Sequence, residues 1–145
     1  MRRRVKGLAV LTATVAAAAS LAAVADSPAQ AQPSGLYAPS ALVLSVGSGD
    51  NAEAATVSRA VTLSCAPTPM GTHPASKSAC AQLRSTAAAF DRLVRPAGLM
   101  ECSMEWTPVT ITADGVWQGK RVAWHYTFSN ACEMRASLAG PVFAF

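Results

Sequence analysis

The feature that most constrains this chain is the placement of its four cysteines. Cys65, Cys80, Cys102 and Cys132 all lie behind an N-terminal segment that reads as an export signal. Residues 1–7 carry four positive side chains, Arg2, Arg3, Arg4 and Lys6. Residues 7–25 carry no charge and are rich in Ala, Val and Leu, and a short polar stretch then ends in Ala29-Gln30-Ala31. A basic start, an apolar middle and small residues three and one before the cut are what a secretory signal peptide requires. Nineteen uncharged residues approach the length of a membrane span, but an Ala-rich stretch partitions weakly and the Ala-Gln-Ala site follows it closely. The expected organisation is a secretory signal peptide over residues 1–31 and one exported, soluble domain over 32–145, with no membrane partner.

Outside the cell, disulfides are the default state of such cysteines. Four cysteines allow three pairings, and spacing alone does not choose among them. Pairing in sequence order would close two separate loops, stabilising by roughly 3 kcal/mol for the shorter and somewhat more for the longer. A zinc site is disfavoured, because no Cys-x-x-Cys exists and exported thiolates are usually oxidised. Cleavage after Ala31 leaves 114 residues, with eight Lys and Arg against seven Asp and Glu, a net charge of +1 where the whole chain has +4. That balance selects neither nucleic acid nor anionic lipid nor an acidic substrate. A chain that is 51% apolar is also too apolar to be disordered.

Hydrophobic periodicity places the elements. Residues 41–46 read as a strand with Leu42, Leu44 and Val46 on one side. Residues 56–65 read as a second, with Val57, Val61, Leu63 and Cys65 sharing a face and Arg59 on that face but near the strand's start, where it reaches water. A proline-rich loop over 66–74 leads to a helix over 76–94, in which Cys80, Leu83, Ala87, Phe90 and Val94 recur at helical spacing. Ser76 or Ser78 is available as its cap and Pro96 and Gly98 as its stop. Residues 109–128 read as a β-hairpin turning at Asp114-Gly115, with Gly119 marking a bulge or a close contact. Residues 131–138 read as a short helix. The closing Phe143 and Phe145 imply a docked final strand over 141–145. This order argues for an α+β fold, an antiparallel sheet covered by helix on one face. Trp117 and Trp124 serve either the core or a dimer surface.

Catalytic constellations are missing from the local sequence. There is no Gly-x-Ser-x-Gly, no His-Glu-x-x-His, no phosphate loop and no dinucleotide glycine pattern. Only His73, in a loop, and His125, on a strand, are available as bases, and each reads as a surface or strand polar residue. Asp114 belongs to its turn and Asp91 to an exposed helix face. A glycosidase pair at Glu101 and Glu105 would need a sugar-sized cleft that so small a core does not support. The expectation is a non-enzyme with no cofactor and no metal. What remains is Met100-Glu101-Cys102-Ser103-Met104-Glu105-Trp106-Thr107-Pro108, between helix and hairpin. Pinned by a cysteine and stiffened by a proline, such a loop can be held extended and exposed. Proteases bind substrates as extended strands, and a rigid loop has already lost the entropy a flexible substrate must lose.

The mature sequence resembles the Streptomyces subtilisin inhibitor family of secreted serine protease inhibitors, over nearly its whole length. Leu36-Tyr37-Ala38-Pro39-Ser40-Ala41-Leu42-Val43-Leu44 is similar to the family's opening strand, and Ala60-Val61-Thr62-Leu63-Ser64-Cys65-Ala66-Pro67 to its next. Gly71-Thr72-His73-Pro74 and Ser78-Ala79-Cys80 match its loop and helix start. Asp114-Gly115-Val116-Trp117-Gln118-Gly119-Lys120-Arg121-Val122 is the most specific run. Phe128-Ser129-Asn130, Cys132-Glu133-Met134 and Val142-Phe143-Ala144-Phe145 complete it.

The resemblance implies a five-stranded antiparallel sheet with two helices, stapled by Cys65–Cys80 and Cys102–Cys132 and forming a homodimer through the sheet. It implies a scissile bond at Met104–Glu105, with Met104 filling the specificity pocket of a subtilisin-like serine protease. Glu101, Cys102, Ser103, Trp106 and Pro108 would be the reactive-loop contacts. Ser103 stands where the family commonly has proline, and Glu101 and Glu105 put negative charge on both sides of the loop, which suits a target protease with a basic rim. Two other functions compete. One is a secreted binding module without inhibition, or a cross-linking substrate, for which the glutamines Gln82 and Gln118 are too ordinary to argue. The other is a small hydrolase whose turnover would depend on His73 or His125.

Overall fold

The computed structural model describes residues 38–145 except 97 and 99, so the export-signal reading lies outside the described residues. Four strands, β1 (Ser40–Ser48), β2 (Thr56–Ala66), β3 (Val109–Trp117) and β4 (Lys120–Phe128), form one antiparallel sheet in the order β2-β1-β3-β4. Two helices accompany it, α1 (Ser76–Ser85) and α2 (Ala131–Ser137), with a 3₁₀ turn at Phe90–Leu93. Alternation gives the sheet one apolar face, from Leu42, Leu44, Val61, Leu63, Ile111 and Ala113, all buried. Ala79, Cys80 and Leu83 of α1 pack there, and the Cys65–Cys80 disulfide ties α1 to β2. The α+β class holds.

The sheet has four strands among the described residues, not five. The expected final strand over 141–145 is docked without pairing. Val142 and Phe143 are buried, but side chains satisfy the backbone around them. Gln82 Nε2 donates to Ala139 O at 2.6 Å and its Oε1 accepts from Val142 N at 3.3 Å. His73 Nδ1 accepts from Ala75 N, which leaves Nε2 to donate to Val142 O at 3.1 Å. His73 is therefore a buried structural group, not a surface one. Gln82 is likewise engaged in holding the chain's end.

Three further expectations shift. The helix expected over 76–94 ends at Ser85, because Ala87 and Ala88 turn left-handed (φ 51° and 53°) and Ala88 N donates back to Leu83 O. That conformation costs about 1–2 kcal/mol per residue, and it re-aims the chain so that Phe90 and Leu93 enter the core, Phe90 stacking on Trp124 at 5.3 Å. Neither serine caps α1: Ala75 precedes it without a side-chain bond, and Ser78 Oγ donates to Ala75 O. On β2, the register slips where Val46 faces Arg59 and Gly47 faces Val57. The bulge at Ser58 reverses the alternation and leaves Val57 exposed, while Arg59 is exposed as expected.

The hairpin does not turn at Asp114-Gly115. Both residues lie inside β3, paired on each side: Asp114 with Val43 and Ala123, Gly115 with Leu42 and Val122. The turn is Gln118-Gly119, both at positive φ (49° and 77°) as a two-residue I′ connection requires. Gly115 serves close approach, since a Cβ there would collide with Ala41 O. Of the two tryptophans, Trp117 belongs to the core and Trp124 is partly buried against it.

Candidate functional site

Residues 100–108 carry no helix or strand and join the 3₁₀ turn's side of the fold to β3. The Cys102–Cys132 disulfide fixes the start of this segment to α2. At its other end Thr107 N donates to Ser129 O and Gly49 N donates to Pro108 O, both at 2.9 Å. Between these anchors the chain bows outward. Met104 is 100% exposed and Trp106 63%. Glu101, Ser103 and Glu105 are exposed, while Cys102 and Pro108 are partly buried at the two anchors. All seven site residues expected from the sequence thus lie on one tethered, protruding loop.

The middle of the loop is held by a residue that sequence reasoning did not single out. Asn130 is buried, and its Nδ2 donates to Ser103 O at 3.0 Å and to Glu105 O at 3.1 Å, the carbonyls on either side of Met104. Its Oδ1 accepts from Glu133 N at 3.0 Å, capping α2. The capping bond fixes which way the amide faces, and that turns both donors to the loop. Glu133 completes the support by accepting from the backbone N of Ser129 at 2.8 Å and from the Ser129 hydroxyl. Those two bonds, the hydroxyl's first, hold the Glu133 carboxyl below its ordinary range against the opposing effect of burial. Asn130-x-x-Glu133 before a helix is a capping pattern visible in sequence. The second use of the same amide, on a loop 25 to 27 residues earlier, is not.

The site is convex. It offers backbone outside any helix or strand, the fully exposed Met104 with the largely exposed Trp106 near it, and two flanking carboxylates. His73 is committed to the C-terminal anchor and His125 lies exposed on β4, so neither is brought to the loop. Among the described residues no group of three or more His, Cys, Asp or Glu is placed to hold a metal, and no helix is long and apolar enough to cross a membrane.

The family model for subtilisin inhibitor-like proteins matches residues 38–130. A subtilisin inhibitor from Streptomyces violaceus is 51% identical over 140 residues, covering 95% of this chain and 94% of that one. A transglutaminase-activating metalloprotease inhibitor from Streptomyces mobaraensis is 52% identical over 110 residues, covering 76% of this chain and 74% of its own. Among solved structures, Streptomyces caespitosus sermetstatin in complex with Bacillus licheniformis subtilisin superposes with a TM-score of 0.70 at 50% identity, covering 74% of this chain and 99% of that one. With a family match over most of the described residues and relatives at half identity along nearly the whole length, the chain belongs to the subtilisin inhibitor-like family.

Proposed function

We propose that this chain is a secreted inhibitor of serine endopeptidases whose reactive loop presents Met104–Glu105 as the scissile bond. The observation that carries the reading is the Asn130 amide joined to the carbonyls on both sides of a fully exposed Met104. A protease can bind this backbone as an added strand and take Met104 into its specificity pocket. If its serine attacks the Met104 carbonyl, the clamped loop keeps the leaving amine in place and the bond re-forms. Because the loop is already ordered, little entropy is lost on docking. Complexes of this kind bury about 1,600 Å² and reach nanomolar affinity or better, about −12 kcal/mol.

Methionine fits a wide apolar pocket, so subtilisin-like enzymes lead and chymotrypsin-like ones follow. The acidic pocket of trypsin disfavours it. Glu101 and Glu105 select for a target with a basic rim. Export through a signal peptide over residues 1–31 places the protein outside the cell, where disulfides form. The direct test is a titration of active-site-counted subtilisin with the secreted protein. The expected result is a sharp endpoint near one inhibitor chain per enzyme, with mass spectrometry of the complex locating hydrolysis at Met104–Glu105. Affinity without loss of protease activity would favour the non-inhibitory module instead.

A homodimer through the outer sheet face is the second part of the reading. Val43 on β1 is 48% exposed and Met70 56%, and both line a groove of about 490 Å³ with Thr62 and Asp114. Sedimentation should find a dimer that Val43→Asp converts to monomer; a monomeric parent would exclude it.

A further inference from the structure

We infer that Met104 is also an oxidation-sensitive modification site, at which a hydroperoxide switches off protease binding; this rests on the inhibitor reading above. Among the described methionines, Met104 alone is 100% exposed. Met70 and Met100 are each about half exposed, at 56% and 55%, and Met134 is partly buried against the core. Oxidation of a thioether requires the oxidant to reach sulfur, so susceptibility follows exposure. Here the exposure is imposed by the loop's construction. With the carbonyls on both sides drawn back to Asn130 and the ends fixed by Cys132 and Ser129, the Met104 side chain has no shelter in the free protein. The geometry that offers it to a protease pocket equally offers it to peroxide.

The step balances without any group from the protein. A sulfur lone pair attacks one oxygen of hydrogen peroxide, the O–O bond breaks as the S–O bond forms, and the departing oxygen leaves as water after proton transfer. Sulfur is oxidised by two electrons and peroxide is reduced. The product is a sulfoxide, a polar side chain with a strong acceptor oxygen. In an apolar specificity pocket that oxygen loses water without gaining a partner. An added polar oxygen in such a pocket weakens binding about 100-fold.

The test uses inhibitor recovered from the medium of cells expressing the full chain. Samples exposed to graded hydrogen peroxide are quenched with catalase, mapped by peptide mass spectrometry and assayed on subtilisin. The expected result is that Met104 gains oxygen before Met70 and Met100, and that inhibition weakens about 100-fold in proportion. Methionine sulfoxide reductase should restore it, and the inhibition constant of Met104→Leu, whatever its starting value, should not change on peroxide treatment. Oxidation of Met70 or Met100 ahead of Met104, full inhibition by the Met104 sulfoxide, or equal loss in the Leu variant would each overturn the inference. Failure of untreated protein to inhibit either subtilisin or chymotrypsin would overturn the inhibitor reading and this inference with it, before any peroxide is added.

Discussion

Replacing Asn130 by Ser separates the two tasks of one amide. Serine is as good a helix N-cap as asparagine, so α2 should persist and the melting temperature should change little. The shorter side chain cannot reach the carbonyls of Ser103 and Glu105, which Asn130 Nδ2 now meets at 3.0 and 3.1 Å. Each such bond is worth roughly 0.5–1.5 kcal/mol net, so their loss should weaken inhibition by about 2 kcal/mol, or about 30-fold. The loosened loop should also be hydrolysed faster, because the leaving amine can diffuse away. Inhibition constants against subtilisin, chromatography of cleaved and intact inhibitor over hours, and thermal melts together measure all three effects. A Ser variant that melts like the parent, inhibits within twofold of it and is cleaved no faster would refute the claim that this amide positions the loop. A variant that also melts far lower would show that the cap, not the tether, had been lost.

Met104→Lys should move inhibition toward trypsin-like enzymes while the fold is kept; no gained trypsin inhibition by a folded variant would mean that Met104 is not the specificity residue. Replacing Cys102 and Cys132 together by Ala should turn the inhibitor into a substrate cut at Met104–Glu105, and unchanged inhibition would sink the clamped-loop mechanism. Neutralising Glu101 and Glu105 to Gln should slow association with a basic-rimmed protease about tenfold at low salt and less at high salt; an association rate independent of both charge and salt would remove the steering argument. The Glu133 carboxyl sits below its ordinary value of 4.5, so its stabilising contribution is complete above about that pH and is lost as pH falls through the folded value. Melting temperatures between pH 7 and 2 should therefore fall less steeply for Glu133→Gln than for the parent, and parallel curves would show that the Ser129 bonds do not stabilise the fold.

Strong alternation made β1 and most of β2 legible, and the Met100-to-Pro108 segment stood out as what remained between helix and hairpin, with a cysteine near its start and a proline at its end. The errors arose where a local signal was outweighed at long range. Asp114-Gly115 has a hairpin's composition, but Gly115 is there because the neighbouring strand leaves no room for a Cβ, and the real turn lies four residues on at Gln118-Gly119. The alanine-rich run after Ser85 favours helix, yet burial of Phe90 and Leu93 outweighs the cost of two left-handed residues. The last residues are apolar enough for a strand, but Gln82 and His73 supply the bonds that a ladder would have made. Asn130 advertised its cap and concealed its tether, because the tether depends on which loop the fold brings beneath it.

Most of what restrains the reactive loop lies downstream of it: Ser129, Asn130, Cys132 and Glu133 all follow residue 108. If the chain is exported N-terminus first, as the proposed function has it, Met104–Glu105 would emerge before most of its restraints. During that interval the bond would be an ordinary cleavage site on an unfinished polypeptide. On that reading resistance to proteolysis would be acquired in the final stage of biogenesis, when about the last 12% of the sequence joins the fold, and a chain interrupted before Ser129 would be consumed by the enzyme its completed form arrests.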